Sequence, residues 1–194
     1  MKLAHIAVGA LALLGTSSTG ALAADTYKID PQHAWMTFTA NHDGWSKAHG
    51  IIRAVAGDIV FDKEDVTKSS VKVEMDAATI DTNFADRDKD LNSPDFLNTA
   101  EFPKITFEST KIEKTGDKAG KITGNLTLIG VTKEVTLDVV WNAEQPLPWD
   151  AKVIKSGFTA TGTITPGDFG MAKVAEYGLG PSVDLAIEIE AIKQ

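Results

Sequence analysis

The sequence has no cysteine. This removes disulfides, thiolate nucleophiles and cysteine metal sites at one stroke. Basic residues are scarce too, with 19 lysines and arginines against 27 acids and a formal net charge of −8. That balance repels nucleic-acid backbones and anionic membrane surfaces, so neither is expected as a partner. Catalytic signatures are also missing. There is no G-x-S-x-G elbow around any serine. "GDKAGK" (116–121) is one residue short of a phosphate-binding P-loop, and Ile122 follows where Ser or Thr is required. "GLGPS" (178–182) lacks the third glycine of a dinucleotide fingerprint. No enzyme is expected from residue spacing, and no nucleotide or metal cofactor.

Only one long apolar run exists, and it lies at the start. Lys2 supplies a positive beginning, Ile6 to Leu14 the apolar stretch, and Ala21-Leu22-Ala23 a small-x-small cleavage site. The run is about half of the ~20 residues that cross a bilayer, so it reads as a cleaved export signal over residues 1–23. The remainder, 24–194, is of a size for one domain. Export without disulfides suits a bacterial periplasm.

What the chain has in quantity is period-two alternation. Val71, Val73, Met75 and Ala77 alternate with Lys72, Glu74 and Asp76. Leu126 and Leu128 flank Thr127, and after Gly130 the apolar places resume at Val135, Leu137, Val139 and Trp141. Similar stripes run through Ala34–Ala40, Ile105–Phe107, Phe158–Ile164 and Val183–Ile189. Eight to ten short strands, each with one apolar face and divided by Gly, Pro, Asn and Asp turns, predict an antiparallel sandwich or barrel. The rhythm breaks at "DTNFADRDKDLNSPDFLN" (81–98), where Thr82 or Asn83 can cap one short helix and Ser93-Pro94 can start a second. Residues 142–155, with Pro146 and Pro148, and the glycine-rich 165–182 read as long loops.

Two clusters invite a metal. Asp86, Asp88 and Asp90 have the opening spacing of a calcium loop, but Leu91 stands at the sixth place and Leu97 at the twelfth, where Gly and Glu are needed. His33, His42 and His49 are near one another in sequence and are the first place to look for haem or a metal, although turn or structural histidines explain them without either.

Five segments in order, "DPQHAWMTFTANH" (30–42), "DTNFADRDKDLNSPDF" (81–96), "FPKITFEST" (102–110), "GNLTLIGVTKEVTLDV" (124–139) and "DFGM" (168–171), resemble the YceI-like family. The resemblance implies an all-β fold, an extended lipocalin-like antiparallel barrel of eight strands with a short helical insertion at about residues 83–98. It also implies an exported, non-enzymatic protein that holds an isoprenoid or other long-chain amphiphilic lipid in an apolar cavity. Two places depart from the family pattern. Asp90 stands where the family usually has His after an Arg-Asp pair (here Arg87-Asp88), and Thr165-Pro166-Gly167 replaces an Asn-Arg pair before Asp-Phe-Gly. If those positions touch a lipid head group, a pyrophosphate is disfavoured here.

On the stripes, Phe38, Phe61, Met75, Phe107, Leu126, Leu128, Val135, Leu137, Phe158 and Ile164 are expected to face inward and line a cavity, with Trp45 and Phe96 closing its mouth. Small residues within the stripes (Ala40, Ala77, Ala160, Gly162) leave room inside. Two other readings share the same stripes: a filled, ligandless envelope or stress-related barrel that acts through its surface, and an electron-transport accessory holding a quinone or haem near the histidines. A homodimer is compatible with all three.

Overall fold

The computed structural model describes residues 24–194, and the export signal expected over 1–23 lies outside them. The alternating stripes all become strands of one antiparallel sheet: β1 (Asp25–His42), β2 (Ser46–Ile52), β3 (Val55–Phe61), β4 (Ser70–Asp76), β5 (Lys104–Lys114), β6 (Ala119–Leu128), β7 (Val131–Leu147), β8 (Asp150–Ile164) and β9 (Val183–Lys193). β9 returns to pair with β1 from Tyr27↔Lys193 to Ala40↔Val183, so the sheet closes on itself. β2 lies along the second half of β1 (Met36↔Ile52 to His42↔Ser46) and β3 along the first (Asp25↔Phe61 to Lys28↔Asp58). The two form a single stave interrupted at Arg53-Ala54, where Ala54 has φ +56°. Nine strand segments therefore build the eight-stranded barrel that the stripes and the family resemblance imply.

The outward face is charged and cross-linked between neighbouring strands, as by Lys121–Asp138 (2.6 Å), Lys104–Glu74 (3.5 Å) and Lys72–Glu108 (3.7 Å). Apolar inside and charged outside is the reverse of a membrane-spanning barrel, whose lipid-facing band is apolar. Among the described residues, no helix is long and apolar enough to cross a membrane.

Connections gather at two ends. At one, the β1–β2 turn, the β4–β5 insertion and the β8–β9 segment form a cap. At the other lie the β3–β4 loop, the β5–β6 turn and the β7–β8 hairpin. Three local expectations need correction. The insertion holds one helix, α1 (Ala85–Asn92), not two: from Ser93 the chain makes hydrogen-bonded turns that bring Phe96 N and Asn98 N to Ser93 O. Neither Thr82 nor Asn83 caps α1 with its side chain. Instead the Asp88 carboxylate reaches back to accept from Thr82 N (2.8 Å) and Oγ1 (2.5 Å), while Arg87 Nε donates to the same hydroxyl at 2.8 Å. Residues 142–155 are not a loop. β7 and β8 continue through them to a tight turn at Pro148-Trp149, since prolines at the end of a hairpin need not donate to the ladder. The 165–182 stretch contains a 3-10 turn (Pro166–Phe169) and a short helix, α2 (Lys173–Glu176).

β1 bends at Asp30-Pro31-Gln32-His33. Ile29 faces Ala191 and Ala34 faces Ile189, so five steps on β1 match two on β9. An ion cluster holds this bulge. Lys155 Nζ of β8 lies 2.9 Å from Asp30 and 2.5 Å from Glu190 of β9, and His33 Nδ1 lies 2.8 Å from Asp30. Burial pushes the Asp30 carboxyl up, but hydrogen bonds from Lys155, His33 and the Gln32 amide outweigh it and lower the pKa from 3.8 to about 2. A depressed carboxylate contributes fully above its unfolded pKa and loses that contribution as pH falls through the folded one. Asp30 should therefore contribute roughly 2 kcal/mol at neutral pH that disappears between about pH 4 and pH 2. Urea denaturation of Asp30→Asn over that window is expected to lose about that much less stability than the parent chain. Parallel curves for the two proteins would contradict the assignment.

Candidate functional site: the barrel lumen

The inward stripes do not fill the barrel. A cavity of about 170 Å3 occupies the half nearer the β5–β6 turn, and a second, of about 110 Å3, lies under the cap. The larger, or outer, chamber is walled by aromatic rings. Phe61 meets Trp141 edge-on at 5.3 Å between centroids and Phe158 at 5.5 Å. Trp141 satisfies its indole N–H on Ser156 Oγ at 3.0 Å, so the ring is fixed without placing a polar atom in the lumen.

Seven of the ten expected lining residues, Phe61, Met75, Phe107, Leu126, Val135, Leu137 and Phe158, line this outer chamber. Phe38, Leu128 and Ile164 line the inner one. Phe96, expected at the mouth, packs into the cap over the inner chamber and is 7% exposed. Trp45 is misplaced by the sequence reading: it sits on the β1–β2 turn, 85% exposed, and lines neither chamber. The turn leaves the ring in solvent.

Why the lumen stays open is visible at two glycines. A Cβ on Gly124 would fall 2.5 Å from Phe107 Cζ, and one on Gly162 would fall 2.5 Å from Leu137 Cδ2. Each large side chain lies flat along the wall in the space that a neighbouring side chain would otherwise take. Ala160 in the outer chamber and Ala40 in the inner one act in the same sense, whereas Ala77 is buried outside both.

The outer chamber has a polar rim that periodicity could not reveal, because its residues lie in loops or at strand ends. Lys63 and Ser69 of the β3–β4 connection face Glu113, Lys114, Asp117 and Lys118 around the β5–β6 turn. Behind the rim, Tyr27, fully buried, donates its hydroxyl to Glu144, which also pairs with Lys63. Burial first, and then Glu144, push the Tyr27 phenol well above its ordinary range. Burial opposes the charge on Lys63, yet its hydrogen bond to Glu144 prevails and raises its pKa. Lys63 is therefore a fixed cation at the mouth.

Among the described residues, the one group of side chains spaced to share a metal ion is Asp30, His33 and Glu190. Lys155 already supplies a cation to both carboxylates. His49 Nδ1 lies 3.1 Å from Thr39 Oγ1, and none of His33, His42 and His49 lines a chamber. The three histidines do not form one site.

Comparisons with known proteins agree with the geometry. The YceI-like domain family matches residues 27–191. Protein YceI of Escherichia coli O157:H7 is 42% identical over 182 residues, covering 91% of this chain and 92% of that protein. Protein YceI of Salmonella arizonae is 41% identical over the same length. In fold, the chain is similar to a Campylobacter jejuni YceI protein (TM-score 0.67, 28% identity, 77% of this chain and 86% of that one). It is also similar to Burkholderia cenocepacia BcnA (TM-score 0.74, 17% identity, 84% and 98%). A third fold match is a polyisoprenoid binding domain from Saccharophagus degradans (TM-score 0.63, 13% identity, 87% and 98%).

The glycine arrangement can be tested directly. Gly162→Ala is expected to push Leu137 off the wall, costing about 1–3 kcal/mol of stability by overpacking and reducing uptake of an apolar dye such as 1-N-phenylnaphthylamine. A folded variant with unchanged dye fluorescence would show that the lumen is not where the dye goes.

Proposed function

The chain belongs to the YceI-like family, and from that premise and its open apolar lumen we propose that it is a binding protein for a long isoprenoid or similar lipid tail, without catalytic chemistry of its own. The observation that carries the reading is the outer chamber: a space walled by Phe61, Trp141, Phe158, Phe107 and aliphatic side chains, with polar groups only at its rim. Support also comes from the polyisoprenoid binding domain with the same fold. The tail lies along the aromatic wall, and a polar head stays among Lys63, Lys114 and Lys118, partly balanced by Glu113 and Asp117. A prenylated quinone has the same division of tail and head and fits the same description.

The energetics permit it. Burying ~15 chain carbons at about 0.8 kcal/mol each offers ~12 kcal/mol. Immobilising the lipid and ordering its tail cost about 4–15 kcal/mol. Binding therefore needs most of the tail inside, and it gains from walls already held in place. With the leader over residues 1–23 acting as an export signal, the protein would meet such lipids in the periplasm.

Native mass spectrometry of protein purified without detergent tests this. The expected result is a discrete added mass, released into organic solvent as a prenyl lipid or quinone. A bare protein that also fails to take up added prenyl lipid would instead favour the ligandless barrel.

A further inference from the structure

Four aromatic rings among the described residues stand mostly in solvent: Trp45, Phe84, Trp149 and Tyr177. Three of them belong to the cap connections, and two of these are carried on segments that touch. Asp43 and Gly44 take φ values of 50° and 76°, the pair of positive angles that a type I′ hairpin turn requires. Trp45 closes that turn, its amide donating to His42 O at 2.8 Å. The turn is tied in its middle to the end of α2, where Asp43 N donates to Gly178 O at 2.7 Å. Tyr177 immediately precedes that contact, and its ring tilts against Phe96 at 5.5 Å between centroids. Trp45 and Tyr177 are 85% and 62% exposed, yet both ride on backbone hydrogen-bonded into the cap.

The Asp43 carboxylate lies at that junction. A Cβ on Gly178 would fall 2.1 Å from Asp43 Oδ1, so the acid rests against the glycine that follows Tyr177. The wider setting has the same sign. Residues 43–45, 77–103 and 165–182, which make up the cap connections, hold nine acidic and three basic residues. Two of the three bases are already engaged, Arg87 on Thr82 and Lys173 on Asp95 at 2.5 Å. Connections at the opposite end (62–69, 115–118 and 148–149) hold four acids and three bases.

Charge decides what such a face can receive. It repels an anionic bilayer, and a second copy set cap to cap would bring nine acids against nine. A cationic side chain is favoured, because the carboxylate accepts its hydrogen bonds and an aromatic ring beside it offers its negative face. We propose that the cap is a docking surface for a protein partner presenting an arginine or lysine flanked by apolar side chains, received by Trp45, Asp43 and Tyr177. The basic group meets Asp43, and its apolar neighbours cover the two rings. Trp and Tyr are prominent among the side chains that dominate such contacts, and a turn already fixed has little freedom left to lose. None of the three residues lines a chamber, so this surface is independent of the tail-binding reading.

The test uses a short fluorescein-labelled peptide of alternating arginine and leucine, read by fluorescence anisotropy at low and at physiological salt. The parent chain is expected to bind it, less tightly as salt rises, and to bind an arginine–serine analogue about tenfold more weakly. Trp45→Ser and Tyr177→Ser should each weaken the arginine–leucine peptide about tenfold, and Asp43→Asn about fivefold with a shallower salt dependence. Trp149→Ser, at the far end of the barrel, should bind like the parent. Circular dichroism checks the fold of each variant; all four side chains are exposed, and asparagine accepts the positive φ of Asp43. A parent chain that does not bind the peptide overturns the proposal. So do cap variants that bind like the parent, or an equal loss in Trp149→Ser. Self-association, or binding to phosphatidylglycerol vesicles, that Trp45→Ser abolishes would give the face a different occupant and overturn it as well.

Discussion

Closure of the sheet, through β9 pairing with β1, is the constraint from which the rest follows. Once eight staves are joined in a ring, every second side chain has no choice but the lumen, and the alternate ones no choice but water. A ring of this size is just wide enough to be filled by side chains or to hold one slender molecule. Which of these occurs depends on a few residues on the inner wall. Here glycines at 124 and 162 let Phe107 and Leu137 lie back against the strands, and the middle remains empty. The ion cluster of Asp30, Lys155 and Glu190 serves the same closure, because it ties down the bulge where β1 and β9 would otherwise lose register.

An open lumen is costly for a protein that lacks disulfides. At about 24 cal/mol per Å3, spaces of 170 and 110 Å3 correspond to about 4 and 3 kcal/mol relative to a filled core. That is a large part of the stability an ordinary domain possesses. Retaining such a defect makes sense if something fills it. A tail in the lumen would restore the missing contacts and stabilise the folded state in proportion to its occupancy. Stability and binding are then two readings of the same vacant volume.

The strands, their inward faces and the barrel class were legible because a period of two is imposed by strand geometry itself, and it survives without any knowledge of partners. Val71, Val73 and Met75 declare their wall from sequence alone. Features that arise from three-dimensional closure were not legible. Whether Leu128 looks at another side chain or at empty space depends on glycines and alanines on other strands. Prolines at 146 and 148 suggested a loop, yet strand pairing continues nearly to the tip, where a missing N–H costs nothing. Ser93-Pro94 has the form of a helix start, but the chain must turn there to bring Phe96 and Leu97 over the lumen, and burying those two side chains outweighs local propensity. The rim lysines left no trace in any pattern, since loops carry no period.

The two departures from the family pattern acquire a physical sense from their position. Thr165-Pro166-Gly167 stands where the family resemblance implies an Asn-Arg pair, and of these Pro166 is buried against the inner chamber, a place where an uncompensated guanidinium would be expensive. Asp90, in place of His, lies on α1, which buries none of its side chains fully. The cap thus supplies no unengaged charge to the lumen, while Lys63 at the far rim is held as a cation by Glu144. The charged side chains that line the lumen are therefore all at the rim of the outer chamber. The contrast between a charged rim and a wholly apolar chamber under the cap gives the lumen a direction.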